Sequence, residues 1–360
     1  MIVSRQETLT WSGFFVGIFW FYWIGLSFKY YNLSYLIPFV IFAISITYAL
    51  FFWILSYPKN IFYRIVLLLF ASYAHPFEFT WFKPELMFTQ SYIGVQKWQF
   101  MIVLLTICAS VSVYRKYHKK LLSFFLILFI ALSFEPLKVH IRKIPFSVYL
   151  YNQKIPENIK WNPLYTNKII KDNIKAIKKE IKNKKDMIIL NESAFPIYLN
   201  LDKRLLNQLK DLSRHIMIVA GALRKEGKNF YNSTYYFIDG KIKIANKVVL
   251  VPFGEKIPLP AFLAKYINKE FFGGASDFKT AKKPTTIIIK GIKFTNAICY
   301  ETTENIMYKN HPKYIIAISN NAWFTPSIEP TLQNILIRFY ARKFNTTIIH
   351  SANMGISGIF

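Results

Sequence analysis

Cysteine is scarce in this 360-residue chain: Cys108 and Cys299 are the two present, too few for a disulfide framework. Cys108 falls inside an apolar run, so Cys299 reads as a free thiol. Histidine is also sparse. His75, His118, His140, His215, His311 and His350 are dispersed, with no cysteine or carboxylate at ligand spacing, so no metal and no cofactor is implied. Acidic residues are in deficit, 19 against 46 Lys and Arg, for a formal net charge of +27. The excess is mostly Lys scattered through stretches such as 168–185, with no zinc-finger, RRM or helix-turn-helix pattern beneath it, so no nucleic-acid partner is expected. A solvated helix face carrying Lys175, Lys178, Lys179, Lys182, Lys184 and Lys185, attractive to anionic lipid headgroups, is the better account. Long apolar runs are absent after about Phe134, and their confinement to the first third divides the chain.

Those runs are Trp11 to Phe28, Leu36 to Ser56, Ile61 to Ala74, Phe100 to Val113 and Leu121 to Phe134. Blocks of about 18–21 residues cross a hydrocarbon core of ~30 Å as helices, and the shorter ones need flanking Tyr, Trp or Lys to reach the interfaces. Residues 1–135 are accordingly expected to form a polytopic helical membrane domain of about five spans. The positive-inside rule places the N-terminus, Arg5, Lys59, Arg64, Arg115, Lys116, Lys119 and Lys120 in the cytoplasm, leaving Lys29, Lys83 and Lys97 outside. With five spans, residues 136–360 lie outside. The polar start, Met1 to Thr10, and the absence of a small-residue cleavage site after the first apolar run indicate an uncleaved anchor.

From about Pro136 the texture becomes α/β. Met187 to Leu190, His215 to Ala220, Tyr235 to Ile238, Thr285 to Ile289, Phe294 to Cys299 and Tyr314 to Ser319 read as strands, several of them apolar throughout, as in sheets covered on both faces. Asn167 to Lys184 and Pro330 to Phe344 read as helices, and Asp239-Gly240 and Lys290-Gly291 as hairpin turns.

Three lone polar residues stand at the borders of such runs. Glu192 follows Met187 to Leu190, where partial desolvation raises a carboxyl pKa and suits general base work. Lys247, just before Val248 to Val251, could stabilise an oxyanion. Cys299 would be the nucleophile, its thiolate favoured by the Lys and its proton taken by the Glu. Taken singly, each has a plainer explanation: a solvated turn Glu, a surface Lys among many, an inert buried thiol.

The surrounding segments change that balance. Asn152-Gln153-Lys154-Ile155-Pro156 with Lys160-Trp161-Asn162-Pro163, then Asn191-Glu192-Ser193-Ala194-Phe195-Pro196, Tyr231-Asn232-Ser233 followed by Lys247-Val248-Val249-Leu250-Val251-Pro252-Phe253-Gly254-Glu255, Ile298-Cys299-Tyr300-Glu301, Ser319-Asn320-Asn321-Ala322-Trp323-Phe324 and Ala352-Asn353-Met354-Gly355-Ile356-Ser357 occur in an order that resembles apolipoprotein N-acyltransferase, the membrane-bound branch of the nitrilase superfamily. Gly13-Phe14-Phe15 through Tyr22-Trp23-Ile24 is similar to an early membrane segment of that family, so the resemblance covers nearly the whole chain. It implies an N-terminal polytopic membrane domain followed by an α-β-β-α nitrilase-like sandwich. It also implies transfer of a fatty acyl group from a glycerophospholipid, through a Cys299 thioester, to the α-amino group of a diacylglyceryl-cysteine at an apolipoprotein N-terminus. By the same resemblance Glu192 is the base and Lys247 the oxyanion stabiliser, Glu255 orients Lys247 or the incoming amine, and Tyr300, Glu301, Trp323, Trp161 and Asn320 support or contact substrate. The implied partners are a phospholipid donor, a diacylated apolipoprotein and membrane lipids, and the implied location is the bacterial inner membrane with the catalytic domain on the periplasmic side.

Asn191 stands where the family usually has Pro, and His350 where Arg is common. The family also carries further helices before Gly13 and further strands and a helix after Ser357, so the chain is either shortened at both ends or holds other elements there. The rival readings are a membrane-tethered amidase that gives its thioester to water, and a non-catalytic lipid- or lipoprotein-binding relative.

Overall fold

The computed structural model describes residues 4–75, 78–136, 141–252, 254–256 and 278–360. They divide into two compact units, one ending at residue 138 and one beginning at residue 139.

In the first unit the five apolar runs are helical. Helix α1 (Gln6–Trp20) is followed by the 3₁₀ helix Tyr22–Tyr31 at a bend of 42°. Then come α2 (Ile37–Ser56), α3 (Ile61–Ala71), α4 (Lys97–Tyr117) and α5 (Lys120–Ile127), the last continued as a 3₁₀ helix to Ser133. Pro38 sits in the first turn of α2, where its missing N–H costs no helical bond. Asn60 caps α3 by accepting from the Phe62 N–H at 2.8 Å. By length and composition, two of the described helices can cross a membrane, or three if the bent pair counts as one span. Gly13 and Gly17, one turn apart on α1, lie directly on α2. A Cβ at Gly13 would come within 2.8 Å of the Phe52 Cβ, and one at Gly17 within 2.8 Å of the Ser45 backbone nitrogen. Small residues at this spacing let two helices approach to backbone contact, which is how helices associate where lipid removes the hydrophobic drive.

The second unit contains two sheets. In the first, β1 (Val148–Leu150), β2 (Met187–Ile189) and β4 (Met217–Glu226) run parallel, and β5 (Asn229–Ile238) and β6 (Lys241–Asn246) extend it antiparallel; β3 (Phe195–Tyr198) pairs with β4. In the second, β8 (Ile292–Ile298), β9 (Tyr314–Asn320) and β10 (Thr347–Asn353) run parallel between antiparallel edges β7 (Thr286–Ile289) and β11 (Gly358–Ile359). Asp239-Gly240 and Lys290-Gly291 all have positive φ and close the two-residue hairpins β5–β6 and β7–β8, as the sequence predicts.

Alternation along the strands sets the layers. Ile188, Ile218 and Phe237 share a core with Ile174 and Ile177 of α7 (Pro163–Lys182) and Leu205 and Leu209 of α8 (Lys203–Leu212). Met187, Ile189, Val219 and Tyr236, one residue out of phase, pack instead against Ile298, Ile316, Ile318 and Ile349 of the other sheet. A one-residue slip in β2 would exchange the two faces. Helix α9 (Glu329–Phe344) packs against β10, completing an α-β-β-α stack. A short helix, α6 (Glu157–Lys160), precedes α7.

Candidate active site

Each candidate catalytic side chain leaves the end of a strand. Glu192 follows β2 in a loop that passes so close to β4 that a Cβ on Gly221 would lie 2.6 Å from the Glu192 Cα. Only glycine fits there. Lys247 follows β6, and its N–H donates to the Asn232 carbonyl at 2.9 Å. Cys299 follows β8 with a left-handed φ of 56°, and a 3₁₀ turn, Cys299–Thr303, begins at it. A non-glycine residue held there is strained, and such an elbow presents a nucleophile at the edge of a sheet.

The run Val248 to Val251 does not form the strand that its apolar character suggests. Its N–H groups are taken by carboxylates instead. Glu301 Oε1 accepts from the N–H groups of Val248 and Val249, the latter at 2.8 Å, and Glu255 Oε2 accepts from Val251 N–H at 2.9 Å. Glu301 Oε2 also accepts from Ile298 N–H at 2.8 Å. One fully buried carboxyl thus ties the segment after Lys247 to the residue before Cys299. Burial pushes Glu301 up to about 7, against the pull of Lys247 and these N–H donors.

Lys247 Nζ, 1 % exposed, lies 2.6 Å from Glu255 Oε2 and 3.6 Å from Glu192 Oε1. Burial alone would lower its pKa, but the carboxylates of Glu255 and Glu192 raise it above the ordinary lysine value, so it is a fixed cation. One ammonium cannot neutralise two carboxyl groups equally, and the shorter contact belongs to Glu255. Glu192, which also accepts from Asn232 Nδ2 at 2.7 Å, has its pKa raised by burial, with the neighbouring Glu255 charge adding to it. A carboxyl poised above its usual range is what a general base requires. Burial, and next the Glu192 charge, push the Cys299 thiol well up, so the resting group is a thiol that needs a base at the moment of attack.

The remaining expected residues fall in two places. Tyr300 is buried in the turn behind Cys299, and Trp323 is half-buried in the turn Asn321–Phe324 after β9. Trp161 and Asn320 meet at Glu157, which accepts from Trp161 Nε1 at 2.5 Å and from Asn320 Nδ2 at 2.7 Å. Asn320 Oδ1 in turn accepts from Asn353 Nδ2 at 2.8 Å.

Several site groups carry no mark in the sequence. Lys160 is fully buried and donates to the Glu192 carbonyl oxygen at 3.0 Å; burial pulls its pKa down to about 8. Glu157, Asn232, Glu329 and Gln333 are buried as well. Lys160, beside Trp161, and Asn232, in Tyr231-Asn232-Ser233, fall in segments the resemblance already holds, whereas Glu157, Glu329 and Gln333 take their partners from other elements. No group of three or more His, Cys, Asp or Glu that could hold a metal occurs among the described residues.

Comparison with known proteins bears on this arrangement. Residues 1–133 match the apolipoprotein N-acyltransferase integral membrane domain. The apolipoprotein N-acyltransferase of Wolinella succinogenes is 44% identical over 348 residues, covering 96% of this chain and 83% of the relative. That of Helicobacter pylori is 39% identical over 350 residues, covering 96% and 81%. Among solved structures, a glutamine-dependent NAD+ synthetase from Acinetobacter baumannii aligns at a TM-score of 0.44 with 17% identity, over 58% of this chain and 38% of that one. A Nesterenkonia amidase of the nitrilase superfamily aligns at 0.41 with 12% identity, over 59% and 77%. Such loose superpositions add nothing to the assignment, which the extended sequence identity makes on its own. By that identity, sustained through both units, the chain belongs to the apolipoprotein N-acyltransferase family.

Proposed function

We propose that this protein is a membrane acyltransferase of lipoprotein maturation, working through Cys299, Glu192 and Lys247. In the first half-reaction Glu192 takes the Cys299 proton as the sulfur attacks the ester carbonyl of a glycerophospholipid. The carbonyl oxygen becomes an oxyanion stabilised by Lys247, the C–O bond breaks, and Glu192 returns the proton to the departing lysophospholipid oxygen. The enzyme then holds a thioester. In the second half-reaction the α-amino group of a diacylglyceryl-cysteine attacks that carbonyl and gives a proton to Glu192. The C–S bond breaks, the proton passes to sulfur, and an amide and the free thiol result.

The observation that carries this reading is the placement of Lys247. A permanently charged ammonium, 1 % exposed and braced at 2.6 Å by Glu255, is a preorganised partner for negative charge developing beside Cys299. Glu255 therefore orients the lysine, Glu301 fixes the two backbone segments, and Trp161, Asn320, Tyr300 and Trp323 are assigned to the supporting shell. Both substrates are lipid-anchored, which gives the helical unit its purpose: an acyl chain of many methylenes costs ~0.8 kcal/mol per CH₂ to draw into water. This reading puts the protein's work in the bacterial inner membrane with residues 136–360 on the periplasmic side, as the distribution of Lys and Arg between the apolar runs suggests.

The test is mass spectrometry of the N-terminal peptide of an abundant lipoprotein, from cells in which this chain or its Cys299→Ala variant is the sole candidate enzyme. Triacylated cysteine with the native chain and diacylated cysteine with the variant are expected. Triacylated product from the variant would remove Cys299 from the reaction, and diacylated product from both would overturn the proposed activity.

A further inference from the structure

Three polar side chains converge on Cys299 from α9 and the turn after β9. Glu329 and Gln333 lie one turn apart on α9, and Asn321 opens the turn Asn321–Phe324; all three are at most 2 % exposed. Leu332, Leu336, Ile337 and Phe339 are buried on the same helix. Burying polar groups in such a place is costly unless each finds a partner, and packing alone would be served better by more leucine.

The partners form a directed chain. Asn321 Nδ2 lies 3.0 and 2.9 Å from the two Glu329 carboxylate oxygens and 3.0 Å from Gln333 Oε1. The nitrogen end of the Asn321 carboxamide faces both oxygens of Glu329, whose pKa burial pushes up to about 8, and donates to them. The remaining Asn321 N–H then meets the oxygen of Gln333, and Gln333 is left with its nitrogen end toward the nucleophile. Gln333 Nε2 lies 3.6 Å from Cys299 Sγ. Space for this arrangement depends on Gly355, where a Cβ would come within 2.8 Å of the Asn321 Cγ.

We propose that Gln333 donates the hydrogen bond that steadies the Cys299 sulfur as an anion, and that Asn321 and Glu329 are positioning residues that fix which end of its carboxamide meets the sulfur. The inference rests on Cys299 as the nucleophile. An N–H donated to sulfur favours the thiolate, and it opposes a crowded negative field. The charged groups acting on Cys299 are Glu192 after β2, Lys247 and Glu255 after β6, and Glu329 on α9; the carboxylates hold the thiol form and Lys247 alone opposes them. On its own turn Glu301 is bound up by backbone N–H groups. Gln333 supplies a donor from the α9 side, where Glu329, once ionised above its raised pKa of about 8, adds an unfavourable charge.

The experiment is the pH dependence of Cys299 alkylation by iodoacetamide in the full chain in detergent, read on the Cys299 peptide by mass spectrometry so that Cys108 does not interfere. Gln333→Met keeps length and burial but removes the donor. Its alkylation midpoint is expected to rise by about one pH unit, a tenfold loss of thiolate at a given pH. Gln333→Glu should raise it further by adding charge, and Asn321→Leu should raise it by releasing the carboxamide to turn over. Thermal unfolding of each variant reports whether it is folded, and if Gln333→Met is not, Gln333→Leu, which also lacks the donor and adds no charge, decides in its place. An unchanged midpoint in the folded variant overturns the proposal while the acyl-transfer reading stands. Acyl transfer retained by Cys299→Ala would instead remove the nucleophile reading, and the alkylation midpoints would still judge the contact to sulfur.

Discussion

The two units of this chain differ in how many of their large apolar residues they leave exposed. In the membrane unit α2 turns Ser45, Tyr48, Ala49, Phe52 and Ser56 inward but leaves Phe39, Phe42, Leu50 and Trp53 exposed. In the catalytic unit β2 is buried from Met187 to Ile189, while α7 exposes Lys168, Lys171, Lys175 and Lys178. The same rule operates in both. Large apolar side chains go where water is absent, which is the lipid around one unit and the interior of the other. What remains to hold each unit together therefore differs: close backbone approach at Gly13 and Gly17 in the first, dry layers between sheets in the second. The second unit breaks that pattern most sharply at the strand ends where Glu192, Lys247, Glu255, Glu301 and Cys299 meet.

That exception yields the largest expected effect. Lys247→Met keeps the shape of the side chain and removes the charge, leaving Glu192 and Glu255 facing each other in a buried site. Acyl transfer should fall by about 10³-fold or more, since one lost oxyanion donor typically costs 10²–10³. Stripping a buried ion pair of one partner should also cost about 3–5 kcal/mol of stability, measurable by thermal unfolding in detergent. A variant of full stability and near-native activity would show that the strand-end cluster is not held by ions.

A smaller effect tests the other side of the comparison. Gly13→Leu forces a side chain into α2 and should destabilise the membrane unit by about 1–3 kcal/mol, the usual cost of overpacking. Gly25→Ala is the matched control, because a Cβ there meets its nearest neighbour, the Ile37 carbonyl oxygen, at an ordinary 3.5 Å. It should be neutral. Equal stability of the two variants would mean that backbone proximity is not what joins α1 to α2.

The parts of the structure legible in the sequence are those governed by local pattern. The five apolar runs became helices, and the apolar strands β2, β8 and β9 and both glycine hairpins lie where periodicity and turn chemistry place them. Strand β10 was not legible, because its buried residues include His350, Ser351 and Asn353, which satisfy one another's neighbours rather than an apolar core. The site divides the same way. Glu192, Lys247 and Cys299 stood out as lone polar residues bordering apolar runs. Glu157 needs Asn320, 163 positions away, and Glu301 needs Val248 and Val249, more than 50 positions away. No local rule connects residues at such separations. Val248 to Val251 is apolar throughout yet forms no strand for that reason, since Glu301 takes N–H groups that a ladder would use.

His350 offers the finest probe of that polar network. Its Nδ1 lies 2.9 Å from the Ile356 carbonyl oxygen, which can only accept, so Nδ1 carries the proton and Nε2 receives the Ser319 hydroxyl at 2.8 Å. Burial pulls its pKa down from 6.5 to about 4, only partly offset by the Ile356 bond. The folded state thus refuses a proton that the unfolded chain accepts. Its contribution to stability is complete above pH 6.5 and is lost as pH falls from there toward 4, at no more than about 1.4 kcal/mol per pH unit. Glu301 works the other way: its folded pKa of about 7 lies above the ordinary 4.5, so its contribution is complete below 4.5 and is lost as pH rises to 7. Between pH 4.5 and 6.5 the two slopes oppose each other, and a whole-protein stability curve conceals both. Thermal unfolding of His350→Gln across that range separates them. The variant should be less stable than the native chain at pH 7, and the difference should shrink by up to about 2–3 kcal/mol by pH 4.5. A difference independent of pH would mean that His350 titrates alike in both states and that the network around β10 is open to water.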